Sequence, residues 1–99
     1  MRQMQLEVYS DHTNMAVIKM PGRRYPGVLM QGDTLNGLLT KARLVVEKAK
    51  LSRNAELVDE AEDLAQELEN FIDHYELVLK DHGIPIPYPT RAQGEGNRP

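Results

Sequence analysis

The chain has no cysteine, no tryptophan and a single phenylalanine, Phe71. Without cysteine there are no disulfides and no thiolate metal ligands, which fits a reducing cytoplasm. With so few large aromatics, the core has to be built from aliphatic side chains. Long apolar runs are also lacking: none approaches the roughly 18 residues of a membrane span. Met1-Arg2-Gln3-Met4-Gln5 leads into an alternating segment, not into the apolar stretch of a signal peptide. A cytoplasmic location with no membrane partner is expected.

Metal and catalytic chemistry are thinly represented. His74 and His82 lie eight residues apart and His12 stands alone in the N-terminal part. A helical metal site prefers an i, i+4 pair or a tighter cluster, so no metal and no cofactor are expected. His12 beside Asp11 could form an acid–base pair, but no nucleophile has a recognisable setting. A hydrolase built on His12 is the weakest of the function classes, and a non-enzyme is expected. Nucleic acid is not an expected partner either, because the chain is acidic and carries no basic helix.

What is there begins with 99 residues, enough for one small domain whose core is only marginally stable alone. A second chain could supply the missing burial. The net charge of −3 hides an asymmetry. Residues 1–53 hold nine Lys/Arg against four Asp/Glu, whereas residues 54–99 hold three against eleven. A solvated acidic helix face accounts for this, and a basic partner protein would be complementary to it.

The organising stretch is Tyr25-Pro26-Gly27-Val28-Leu29-Met30-Gln31-Gly32-Asp33-Thr34-Leu35. Before it the pattern is extended. Met4, Leu6 and Val8 alternate with polar or aromatic residues, which predicts a half-buried strand. Ser10 to Asn14 is turn chemistry. Met15 to Met20 is a nearly all-apolar second strand, ended by Pro21-Gly22, and Val28 to Gln31 is a short third one. Connections this short favour an antiparallel meander.

After Gly32 the period changes. Leu35, Leu38, Leu39, Ala42, Val45, Val46 and Ala49 recur at spacings of three and four, one face of a helix from Thr34, its expected cap, to about Lys50. Gly37 is a misfit in it, explained by close packing on the sheet or by tolerance near the helix start. Ser52-Arg53-Asn54 breaks the pattern. A second helix then runs from Asn54 to His82 with a heptad seam of Leu57, Ala61, Leu64, Leu68, Phe71, Tyr75 and Val78, widened by Val58, Ala65, Ile72 and Leu79. Gly83 is placed to close this helix.

Ile84-Pro85-Ile86-Pro87-Tyr88-Pro89 reads as an extended strip suited to a groove on this chain or a partner. The ordered domain is expected over residues 1–90, with a disordered tail over 91–99. The fold class that follows is α+β: a three-stranded antiparallel meander, then two helices, the second long.

Two surfaces are candidates for function. Arg23, Arg24 and Tyr25 form a loop whose guanidinium groups and ring could hold a phosphorylated or nucleotide-like ligand. Leu64, Leu68, Phe71, Ile72, Tyr75, Val78 and Leu79 form a seam broader than one short helix can cover, and they are the candidate surface for a homodimer.

The passage Pro26-Gly27-Val28-Leu29-Met30-Gln31-Gly32-Asp33-Thr34-Leu35, with Leu38-Leu39 and Ala42 after it, resembles the HicB-type antitoxin domain. Gly83 to Pro89 resembles that family's proline-punctuated tail. The resemblance implies a small antiparallel sheet feeding a helix. It also implies a bacterial, non-enzymatic protein-binding module of antitoxin or immunity type that occludes a partner. Here Asn36-Gly37 stands where such domains usually carry acidic residues, a long acidic helix is added, and no segment matches their DNA-binding part. Small stand-alone bacterial proteins of unknown function share the pattern. Ligand sequestration through Arg23, Arg24 and Tyr25 is the alternative.

Overall fold

The computed structural model describes residues 1–12 and 14–90; the expected tail over 91–99 lies outside the described residues. The chain runs β1 (Glu7–Ser10), β2 (Met15–Lys19), β3 (Gly27–Met30), α1 (Gly32–Leu51) and α2 (Ala55–Asp81). The strands lie in the order β1-β2-β3, antiparallel at both pairings. The α+β meander followed by two helices, the second longer, is therefore the architecture of the protein.

Local chemistry explains the element ends. Val8 pairs with Ile18 and Glu7 with Lys19, and the ladder stops there. Beyond Lys19 the chain turns at Met20-Pro21-Gly22-Arg23, with Gly22 at φ 83° and the Arg23 N–H donating to the Met20 carbonyl at 3.1 Å. Proline second and a left-handed glycine third is a type II turn. It draws the partner strand away, so Met4 and Leu6 have nothing to pair with and β1 starts later than their alternation predicts.

Helix α1 starts two residues before Thr34. Gln31 occupies the cap position without a side-chain cap bond, and Thr34 lies inside the first turn, its N–H donating to Asp33 Oδ1 at 2.9 Å. Thr34 is thus not the cap. Gly32 is buried because the Tyr75 ring of α2 lies against it, where a β-carbon would collide.

The joint between the helices is three residues. Ser52 Oγ donates to the Ala49 carbonyl, Arg53 takes φ 58°, and Asn54 Oδ1 accepts from the Leu57 N–H at 3.1 Å, capping α2. At the far end Gly83 sits at φ 66°. The Gly83 N–H donates to the Lys80 carbonyl at 3.1 Å and the Ile84 N–H to the Leu79 carbonyl at 2.9 Å, the paired bonds of a Schellman ending.

The main core lies between the helices. Ala42, Val46 and Ala49 of α1 meet Ala61 and Ala65 of α2, with Val58 and Leu68 beside them. Four alanines at one interface let the two backbones approach closely. Leu39 and Ile72 are also buried. Helix α2 has 27 residues against 20 in α1, so at 1.5 Å per residue it overhangs by about 10 Å. The proline strip folds back along it: Ile86 and Tyr88 are half-buried, and the Tyr88 hydroxyl donates to Glu76 Oε2 at 3.0 Å.

Gly37 packs against nothing: a β-carbon there would lie in open space, and the residue is exposed. Close packing on the sheet is not the reason for this glycine. Gly37→Ala is expected to stabilise the chain by about 0.5–1 kcal/mol, read as a higher denaturant midpoint at an unchanged slope.

Candidate functional site

The strands and the helices form two unequal bodies of contact. The backbones of β1 and β2, of β2 and β3 and of α1 and α2 run close together, whereas no strand comes comparably close to either helix. Among the described residues of the sheet, Ile18 is the one buried apolar side chain. In this register Val8, Ile18, Ala16 and Leu29 share one face, and Met15, Val17, Val28 and Met30 share the other. The first face is apolar, and the second is apolar except for Ser10 and the Glu7–Lys19 pair at its end. Val8 is 58% exposed and Val28 64%. Strand β3, Gly27–Met30, is an edge with no charge in it. Such an edge offers unpaired backbone groups to another strand.

The loop between β2 and β3 carries the candidate ligand residues. Arg24 lies over the Tyr25 ring, 5.3 Å from its centroid, and Arg23, Arg24 and Tyr25 are all exposed. Arg23 lines a hollow of about 220 Å³ together with Gln5, Glu7 and Lys19. That hollow holds charges of both signs, and Tyr25 and Arg24 do not line it, so the loop does not gather the three around one point. Nearby, the Tyr9 hydroxyl donates to Glu7 Oε2 at 3.0 Å. That hydrogen bond and the carboxylate charge hold the Tyr9 pKa above its ordinary value.

The candidate self-association residues divide between two faces of α2. Ile72 is fully buried and Leu68, Tyr75 and Leu79 are half-buried toward α1 and the proline strip, whereas Leu64, Phe71 and Val78 are exposed. The inward face is centred on Val58, Ala65, Ile72 and Leu79, the residues that the heptad pattern places on the flank of the seam.

The other flank of the hairpin is polar. A groove of about 260 Å³ between α1 and α2 is lined by Arg43, Lys50, Glu62 and Glu69 among others, with Arg43 and Glu69 ion-paired across it. The Tyr88–Glu76 bond at the end of α2 had no signal in periodicity. It needed the strip of prolines to turn back, which Gly83 permits.

No group of three or more metal-ligating side chains is present among the described residues, and His82 Nδ1 lies 2.9 Å from the Val78 carbonyl, closing the helix end. No helix among the described residues is long and apolar enough to cross a membrane. A protein family described as a family of unknown function, DUF6959, matches residues 1–88. Nothing in that match ties the chain to the HicB-type antitoxins. No curated protein and no solved structure matches the chain.

Proposed function

We propose that this chain, which belongs to the DUF6959 family, is a non-enzymatic protein-binding module whose sheet is covered by a partner protein. One observation carries this: a small sheet keeps apolar side chains exposed on both faces, with Ile18 its one buried apolar side chain among the described residues. Burying a large aliphatic side chain is worth roughly 1.5–3 kcal/mol, so leaving Val8, Val28 and Leu29 in water is costly unless they have a use. An uncharged edge strand is normally blunted or covered, and a partner's extended segment laid along β3 covers it. Occlusion of a partner's working surface, as antitoxin and immunity proteins perform it, is the mode of action that this docking implies. The acidic outer face of α2 favours a partner with a basic surface.

The test is co-expression with the product of the neighbouring gene. A complex of fixed stoichiometry is expected, as is relief of any growth inhibition that product causes alone. Val28→Asp should abolish both effects while the helical circular dichroism stays. Growth inhibition left unrelieved, or a complex indifferent to Val28→Asp, would overturn the reading. So would a phosphorylated metabolite that raises the melting temperature of the chain, with the rise lost in an Arg23→Ala, Arg24→Ala variant.

A further inference from the structure

Helix α2 exposes an apolar stripe of its own. Leu57, Leu64, Phe71 and Val78 recur every seven residues and are 45%, 52%, 63% and 38% exposed. At 3.6 residues per turn they line up roughly a quarter turn from the buried face of the helix. Leu38 and Val45 of α1, also seven apart, are 37% and 49% exposed and lie about a quarter turn from Leu39 and Val46. Arg43 and Glu69 bridge the hairpin on its polar flank, which puts both apolar stripes on the opposite flank, side by side.

The registration of the two helices is set at two points. Gly32 lies against Tyr75, and Arg43 pairs with Glu69. This brings Leu38 level with Phe71 and Val45 with Leu64, to within about a turn. Charges border the stripes unequally: Lys41 and Lys48 on the α1 side, Glu60 and Glu67 on the α2 side, again spaced by seven. The same registration sets Lys41 level with Glu67 and Lys48 with Glu60, but at opposite edges of the face within one chain.

We propose that a second copy of this chain covers this face, giving a two-fold, all-antiparallel four-helix bundle. A two-fold axis parallel to the helices lays α1 of one copy on α2 of the other without changing level. Leu38 then meets the partner's Phe71, and Val45 the partner's Leu64, as seam positions do in helical bundles. The same operation brings each basic edge against an acidic one, so the face is complementary to itself. A face bordered by one sign of charge would not be.

The accessible area leaves room for an interface of this kind. The accessible surface is 8215 Å², whereas a compact monomer of this mass exposes about 5,700 Å². With roughly 1,400 Å² set aside for residues 91–99, over 1,000 Å² of the excess is left, and the sheet and this helical face share it. A standard interface takes about 800 Å² from each partner. The proposal concerns the helical face alone and stands whether or not the sheet binds another protein.

The test uses charge reversal and sedimentation of the purified full chain. The parent is expected to be a dimer at tens of micromolar. Lys41→Glu with Lys48→Glu makes both edges acidic, and Glu60→Lys with Glu67→Lys makes both basic. Each variant should keep its helical circular dichroism and weaken self-association by roughly tenfold or more. Mixing the two should restore a dimer containing one copy of each. A monomeric parent at those concentrations would overturn the proposal, as would half-reversed variants that stay dimeric alone or a mixture that stays monomeric. None of these outcomes depends on the protein partner proposed for the sheet.

Discussion

Ile72→Ala is expected to cost about 2–5 kcal/mol, the largest loss from any single truncation in this fold. Ile72 is the one side chain among the described residues with a relative accessibility of 0%. It sits on the inward face of α2 about one turn from Leu68 and from Tyr75, close in sequence to Tyr75 and Glu76, which meet Gly32 and Tyr88. Truncation removes three heavy atoms from a fully enclosed site, and a cavity is left where they were. Domains of this size hold on the order of 5–13 kcal/mol in all, so the loss is a large share of the total. Urea denaturation should show a lower midpoint at an unchanged slope. The adjacent Phe71 is the internal control. It is bulkier but 63% exposed, and Phe71→Ala should leave the chain within about 0.5 kcal/mol at concentrations too low for pairing. A loss under about 1 kcal/mol at Ile72 would mean that the face centred on Val58, Ala65, Ile72 and Leu79 is not the packed one.

Gly32→Ala should be the second most damaging change, although alanine is the better helix former by roughly 1 kcal/mol. The new methyl would occupy the space of the Tyr75 ring. Overpacking of this kind costs typically 1–3 kcal/mol, and more where a ring has to leave its bed. Tyr75 is half-buried and joins the N-terminus of α1 to the C-terminal third of α2, so its displacement opens that end of the hairpin. A double-mutant cycle isolates the effect. In a Tyr75→Ala background Gly32→Ala should become neutral or stabilising, which corresponds to a coupling of about 1–3 kcal/mol. An additive pair would show that the ring and the glycine are not in contact.

The elements were legible because their periods differ. The apolar run at Met15 to Met20 and the three-and-four spacing after Gly32 match what forms, whereas of the alternation at Met4 to Val8 only the end is strand, β1 running from Glu7 to Ser10. Asn54 and Gly83 mark the two ends of α2 by their own chemistry. The orientation of α2 was not legible. The pattern of large apolar residues puts Leu57, Leu64, Phe71 and Val78 on the seam, but helices that pack through Ala42, Ala49, Ala61 and Ala65 choose closeness over bulk. The alanines stand within the pattern, and a reading that centres it on the larger side chains sets the helix face too far toward them. The start of α1 is hidden for a different reason: Thr34 has the usual cap chemistry, but the helix begins at Gly32 with an uncapped Gln31 before it and the Tyr75 ring against it.

The surfaces were only partly legible. Arg23, Arg24 and Tyr25 do form an exposed loop, with the cation on the ring. The excess apolar surface of α2 was visible as a seam too wide for one short helix. The stripe on α1 and the unequal charged edges beside it became visible only with the relative level of the two helices, which the Arg43–Glu69 and Gly32–Tyr75 contacts supply.

The three-residue joint Ser52-Arg53-Asn54 bears on how quickly this chain finds its fold. Helices connected so tightly meet through partners near in sequence, and the loop that must close to join them is short, so little chain entropy is lost before the first packing contact forms. The meander is equally local, since each strand pairs only with its sequence neighbour. With no pairing between distant strands to wait for, the rate-limiting ensemble should be organised around that joint. Ala49, Val58 and Ala61, which flank it, would already be engaged there, while Tyr75 and Tyr88 lock the far end afterwards.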